Sequence, residues 1–547
     1  MVDALSASLA DLLDGQYDCV DRIVLYAYNR LCTTPGGFRT FWRQLDGSDE
    51  RLDNTHLMRL AGRFSRRVRA SAKARGIPVI DCARGERKHE IAEAFLASHT
   101  VGRGVFLILV ARALAPVWEV ERSCRGVIYR LSRKLAFINY YSFHIMDPDW
   151  GHVVIKMAGH PPFGAQIILN GHEYVARRAA QAHIGVHKEG NCFTQVSQPR
   201  ALAQIADTLS TEPTIGRLSQ VCERWIYSAC LCFALDIDEQ QRTTFQYTYS
   251  VYQVEYSRNL LFRVGQQMEA VFQQLVDRTR SRLHIPHLRT LFGTRARPRP
   301  TKEEPEPTVA VAVETSAYDR TVFKVQFGKL QLKAYTKGER VLRFEAVARN
   351  TAALQCGRVL ERFPVIVGRL QGMVERFLTM LDCVDTAFVA DRTLDELPLP
   401  SRVGRTRVGG LDPNKPRTRV AMQAVLALAT VPDGFTVADF ARQVRSATGQ
   451  LATTYGSRQA AYDLQKFRGK QLLTKLEPRR RYAPSAEAVR SMTALLVLRD
   501  QVIRPLLAGV RTPRQGRPPS TWTRLDQHYQ TLRLDLRALF KELGVTA

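Results

Sequence analysis

Along this chain the apolar positions keep two different periods, and the sharpest change between them comes near the C-terminal end. In GFTVADFARQVRSATG (434–449) apolar residues recur every three or four positions, which predicts a helix capped by Thr436 and ended by Gly449. A second helix starts at Ser457, with Ala461, Leu464 and Phe467 on one face and Arg458, Gln459, Lys466 and Arg468 on the other. The period then shortens to two, and residues 472–476 and 480–483 predict short strands around a Glu477-Pro478 turn.

Helix, helix and two-stranded hairpin is the order of a winged helix-turn-helix, whose second helix enters the major groove of DNA while its wing touches backbone. On that reading Gln459 to Lys470 is the reading helix, and Arg479, Arg480 and Arg481 form the wing tip. Charge agrees. The chain of 547 residues carries a formal charge of +27, too basic for an ordinary enzyme of neutral metabolites. Residues 401–547 hold 26 Lys+Arg against 10 Asp+Glu, so +16 of the excess sits in that segment. No apolar run approaches the ~20 residues of a membrane span, and the N-terminus MVDALSASLADLLDG is acidic rather than signal-like. DNA is therefore the expected partner, with RNA as the alternative, no membrane partner, and homo-oligomerisation compatible with the composition. The ten cysteines form no CxxC pair and sit mostly in apolar surroundings, as buried thiols do in a reducing compartment. A cytoplasmic, nucleoid-associated location is expected.

The pattern divides the chain further into an α+β multidomain protein. Residues 1–60 read as mainly amphipathic helix. An α/β domain follows (61–214), opening on the basic run RFSRRVRASAKARG, where Arg66 and Arg67 are candidates to track phosphates. Residues 215–293 read as long helices broken near Asp236, and 294–317 as a charged, Pro-rich linker. A β-hairpin (318–350) turns at Lys337-Gly338-Glu339 and joins the α/β core. A helical, bundle-like segment (351–400), a basic connector (401–419), the winged-helix domain (420–510) and a basic tail with a short helix (511–547) complete the order.

FINYYSFHIMDPDWGHVVIKM, PFGAQIILNGHEYVARRAAQAHIGVHKEGNCF, KAYTKGERVLRFEAVARNT and YGSRQAAYDLQKFRGKQLL, in that order, resemble a family of uncharacterised bacterial proteins that occur in several copies per genome. The likeness covers about 60 to 510, and it implies no established activity; multiple copies suggest mobile DNA. One departure stands out: Asn259 occupies a position after QVEY where the family implies Asp.

VLRFEAVARN also looks like the middle acidic strand of RuvC/RNase H-like nucleases, and equally like the YxK…RxE hairpin of plasmid and phage replication initiators, here Tyr335, Lys337, Arg343 and Glu345. Strand cleavage of the first type needs carboxylates on neighbouring strands bridging two Mg²⁺ about 3.5–4 Å apart. Asp147 and Asp149, at a hairpin end, and Glu345, within an apolar strand, are the candidate catalytic and metal-binding residues, with Lys333, Lys337 and Arg343 beside them to contact nucleic acid. Asp382, Asp385 and Asp391 are candidates for a third carboxylate by position alone. The bland alternatives are β-turn chemistry for Asp147-Pro-Asp-Trp-Gly, and an ion pair of Glu345 with Arg343 or Arg349. His172, His183, His187 and Cys192 match no standard zinc spacing. No GxxxxGK[ST] loop occurs, so no nucleotide cofactor is expected. The expected function is DNA processing for a mobile or self-replicating element with Mg²⁺-dependent, transposase-like strand cleavage. The alternatives are a non-catalytic regulator or initiator and an RNA-guided nuclease.

Overall fold

The computed structural model describes residues 4–282, 323–385 and 393–542, apart from 328, 430, 432–433, 452, 477–479 and 500–521. The linker expected at 294–317, Asp391 and Arg479 lie outside the described residues, as does the side chain of Asp385.

One ten-stranded sheet organises the α+β fold. Its strands are β1 (Leu13–Asn29), β2 (Val79–Asp81), β3 (Gly104–Arg122), β4 (Ile128–Asp147), β5 (Gly151–Ala158), β6 (Ala165–Asn170), β9 (Tyr247–Phe262), β10 (Phe323–Phe327), β11 (Leu330–Lys337) and β12 (Val341–Ala348), while β7 (Val186–Lys188) and β8 (Phe193–Val196) pair separately. The spatial order is β10-β11-β12-β9-β1-β6-β5-β4-β3-β2, antiparallel throughout except for β2 beside β3. Two expectations fail here. The stretch 1–60 is not mainly helix, and 215–293 is not all helix, because β1 and β9 are the paired central strands. β9 carries aromatic and β-branched residues (Tyr247, Tyr249, Val251, Val254, Tyr256), the composition of a pleated surface. Its later residues Ser257, Arg258 and Asn259 are buried although polar, so the polar/apolar alternation that marks a half-exposed strand is lost.

Helices cover the sheet: α1 (Pro35–Asp46), α2 (Asn54–Ala74), α3 (Lys88–Ser98), α4 (Gly171–Gln181), α5 (Pro213–Ala229) and α6 (Phe363–Asp385). α2 holds the basic run, yet Arg63 pairs with Glu239 at 2.7 Å, Arg67 with Asp236 at 3.5 Å and Arg69 with Asp81 at 2.6 Å. Arg66 is exposed. On β1 and β9, Asp18 and Arg258 form a 2.7 Å ion pair on the side packed by α6. α4 starts where β6 stops. Asn170 accepts from the His172 N–H at 3.0 Å, and Gly171 packs so tightly on β1 that a Cβ there would lie 1.8 Å from the Val20 carbonyl oxygen.

The C-terminal region runs β13 (Ser401–Val403), β14 (Thr406–Val408), α7 (Pro416–Leu428), α8 (Val437–Thr448), α9 (Ser457–Gly469), β15 (Leu473–Leu476), β16 (Arg481–Pro484) and α10 (Ala486–Val497). Thr436 and Asp439 form a reciprocal capping box on α8, and Gly449 closes it in the left-handed conformation. Phe435 bridges Tyr482 of β16, adding a third strand position to the hairpin. α10 packs against α6, joining this region to the sheet. Among the described residues, no helix is long and apolar enough to cross a membrane.

The close approach at Gly171 gives a test of the β6–α4 junction. Gly171→Ala should lower stability by about 1–3 kcal/mol, since the backbone must move to admit the methyl group. Urea denaturation measures it, and a neutral result would contradict this junction.

Candidate functional site

Two cross-strand rows place polar residues on one face of the central sheet. Cys19, Ser257, Glu345 and Lys333 stand opposite one another across β1, β9, β12 and β11, and Tyr17, Asn259, Arg343 and Tyr335 form the row beside them. Directly opposed residues in antiparallel strands point to the same side, so these side chains converge. Between Val20 and Ile23 the register slips: Asp21 and Arg22 together oppose Glu255. This β-bulge holds Asp21 inside while Arg22 remains exposed.

Arg343 has no solvent exposure and is the hub. Its Nη2 donates to Asp21 Oδ2 at 2.5 Å and lies 3.6 Å from Glu345 Oε1. Its Nη1 donates to the Asn191 carbonyl at 2.7 Å and to Asn259 Oδ1 at 3.2 Å. Lys333 Nζ donates to Glu345 Oε2 at 2.6 Å, Ser257 Oγ donates to Asp21 Oδ1 at 2.9 Å, and Lys337 Nζ donates to Asn191 Oδ1 at 2.6 Å. Gln253 donates to Glu255 at 2.8 Å, at the side of the cluster nearer solvent.

The electrostatics push the carboxylates apart. Burial alone would raise the Asp21 carboxyl, but the charge of Arg343, followed by His172 and Ser257, holds it below the usual range. Glu255 moves the other way, raised by burial and then by Glu345 and Asp21. Burial also pulls Lys337 down, helped by Arg343. An ionised carboxylate beside one biased toward its protonated form is the arrangement of an acid–base pair. Lys333 supplies a cation at the same place.

Of the residues expected from sequence, Glu345, Arg343, Lys333 and Lys337 do meet. Lys333 is not on an edge strand, because β10 pairs beyond it. Asp147 and Asp149 do not join them. β5, β6, β1 and β9 lie between β4 and β12, five strand spacings or roughly 24 Å across the sheet. Asp147 is moreover saturated by Arg224 at 2.6 Å, Trp225 at 2.7 Å and the N–H groups of Asp149 and Trp150. Asp149 pairs with Arg224 at 3.1 Å and Arg178 at 3.3 Å. The shared two-metal site of Asp147, Asp149 and Glu345 is therefore not assembled, and Asp147 is turn chemistry with a buried ion pair. Asp382 pairs with Arg490 at 3.0 Å in the α6–α10 contact. Asp21 and Glu255 were missed because both lie on the strands read as helix; the signal available was the alternation in VLYAYN and TYSVYQVEY.

A guanidinium already fills the space between Asp21 and Glu345, so these carboxylates do not suit a bridging Mg²⁺. A different donor set does converge: Cys19, Asp21 and His172 each bring one ligand atom within 4.8 Å of the others. The ring of His172 is fully buried and kept neutral by burial, and it approaches Asp21 Oδ1 to 3.0 Å without a well-aligned hydrogen bond. Thiolate, imidazole and carboxylate suit a softer ion such as zinc. His183 and His187 are not part of this group, and both are exposed.

In the C-terminal region Arg458 and Gln459 are exposed at the start of α9, with Gln459 closing the cap through the Gly456 N–H at 3.1 Å. Lys466 lies over Tyr462 at 4.8 Å and 3.7 Å from Asp463, Arg468 is half-buried, and Lys470 donates to the Glu396 carbonyl at 2.5 Å. Arg480 is exposed, but Arg481 is not a free wing-tip cation: it donates to the Gly434 carbonyl at 2.8 Å and to Gln355 at 2.7 Å. The segment 401–419, expected as a connector, contains the β13–β14 hairpin, which packs on α9 and exposes Arg402, Arg405 and Arg407. No family model, curated protein or solved structure matches the chain.

Arg343→Met should cost about 3–5 kcal/mol near neutral pH, because it strands the Asp21 charge in the interior. The folded pKa of Asp21 is depressed, so the stability it contributes is present above the unfolded carboxylate range and lost as pH falls through the folded value. The gap between wild type and Arg343→Met should therefore shrink between about pH 7 and about pH 3. A gap of constant size in urea melts would remove Asp21 as the partner that matters.

Proposed function

We infer that this protein binds and processes nucleic acid, with the C-terminal unit holding duplex DNA and the sheet's acid–base centre acting on the phosphodiester backbone. The observation that carries the reading is the order α7, Phe435 strand position, α8, α9, β15–β16 hairpin, the order of a winged helix-turn-helix. In that arrangement α9 is the reading helix, with Arg458 and Gln459 exposed at its N-terminal end, where recognition helices meet base edges. The exposed arginines of the β13–β14 hairpin and Arg480 supply cations for flanking phosphates. The +27 charge favours a polyanionic ligand over a neutral one.

At the sheet centre a water attacks phosphorus as the bond to the leaving oxygen breaks: Lys333 meets a non-bridging phosphate oxygen, ionised Asp21 orients Arg343, Glu255 gives its proton to the leaving oxygen, and the attacking water's proton passes to solvent. A binding-only role, as a regulator or replication initiator, is favoured by one observation: Asp21, Ser257, Asn259 and Arg343 have 0–1 % exposure. The cleavage assay below separates the two.

Full-length protein should bind duplex DNA with affinity that falls steeply with salt. Arg458→Ala should weaken specific binding by about 1–3 kcal/mol if its side chain reaches a base, while Arg405→Ala and Arg407→Ala together should reduce the log–log salt slope by about two. Binding that ignores salt would end the duplex-holding role. Wild-type cleavage should fall as pH rises past the elevated Glu255 pKa, and Glu255→Gln should abolish cleavage while leaving duplex binding intact. Absence of wild-type cleavage across pH and metal conditions would leave the binding-only role.

A further inference from the structure

A groove of about 650 Å³ lies on the sheet beside the acid–base centre. Its floor is Tyr26 and Tyr28 of β1, Gln166 of β6, Lys156 of β5 and Tyr140 of β4; the β3–β4 ribbon walls one side with Arg133, and Arg358 stands on the other. Groove and centre share one face of the sheet. Val24 opposes Gln253, which is two residues along β9 from Glu255, and Tyr26 is two residues along β1 from Val24. The bulge at Asp21–Arg22 makes this so, by shifting the alternation of β1 by one residue.

The lining residues include no Asp or Glu. Their three cations have no carboxylate partner among the described residues. Each rests on an aromatic ring instead: Lys156 on Tyr140 at 4.9 Å, Arg133 on Trp118 at 4.8 Å and Arg358 on Tyr252 at 5.6 Å. The Nε of Arg358 is buried without a hydrogen-bond partner. Tyr26 and Tyr28 stack with ring centroids 5.9 Å apart and planes 22° from parallel. Arg133 also donates to the Cys32 carbonyl at 3.1 Å, which leaves its charge uncompensated. Cations without carboxylate partners, interleaved with aromatic faces, complement a strand that carries phosphates on one side and unstacked bases on the other. A duplex keeps its base faces stacked inside and has nothing to offer these rings.

We propose that this groove binds single-stranded nucleic acid and leads it to the acid–base centre. The proposal rests on the nucleic-acid function above, and adds a second, strand-specific site distinct from the duplex-holding helix. The groove recognises backbone and base faces, so it discriminates little between sequences.

The test titrates full-length protein into a labelled oligothymidylate of about 20 nucleotides and, separately, a labelled duplex of about the same length. Tyr28→Leu keeps apolar bulk but removes the ring; Lys156→Gln with Arg358→Gln removes two cations. Each should weaken oligothymidylate binding about tenfold and leave duplex binding unchanged, whereas Arg458→Ala should do the reverse. Variants that bind oligothymidylate like wild type overturn the groove. So does a wild-type protein that binds duplex alone, which would leave the duplex-holding function standing. A wild type that binds neither ligand overturns the nucleic-acid function itself. Should a variant melt early, photocrosslinking of wild type to a bromodeoxyuridine oligonucleotide decides: adducts at Tyr26, Tyr28 or Tyr140 support the groove, and adducts confined to 401–499 refute it.

Discussion

The guanidinium of Arg343 is the constraint on which the centre of this molecule depends. It is buried on β12, an interior strand of the sheet, where leaving a cation unpaired costs several kcal/mol. Its N–H groups lie in one rigid plane, so their partners must arrive from fixed directions. Asp21 arrives on β1, Asn259 on β9 and the Asn191 carbonyl from the turn between β7 and β8. A slip of one residue between β1 and β9 would withdraw Asp21 and present Val20 or Arg22 instead. Side-chain charge thus selects one register among several that backbone hydrogen bonds alone would allow.

The bulge opposite Glu255 follows from the same demand. β1 must turn Tyr17, Cys19 and Asp21 toward the polar cluster, yet send Ile23, Leu25 and Ala27 into the apolar core. An uninterrupted strand cannot do both, because those positions are all odd-numbered and would share one face. One extra residue resolves the conflict. It also fixes Tyr26 and Tyr28 on the polar side, so the acid–base centre and the aromatic, cationic groove become neighbours on one surface.

Legibility in the sequence tracks how local each feature is. Thr436, Asp439 and Gly449 act within four residues of the groups they satisfy, so the helix over 437–448 could be drawn from its caps. The hairpin over 330–348 was visible in its alternation, and the pairing of Glu345 with Arg343 was anticipated as one alternative. Asp147 was legible as a turn residue, while its proposed catalytic role required a neighbour that sheet order places five strands away. β1 and β9 were misread because both run through the interior, where polar Asp21, Ser257 and Asn259 replace the apolar residues that a periodicity argument expects.

What the sequence determined by itself is the local and the global: capped helices, alternating hairpins, and a charge balance that favours a polyanionic ligand. Those depend on neighbours a few residues apart or on sums over the whole chain. The intermediate scale belongs to the tertiary structure alone. Asp21, His172, Glu255 and Arg343 are spread over more than 300 positions, and only strand order and one bulge bring them together. The energy that selects this meeting is the burial of a charge, which has no value until the fold removes water from around it.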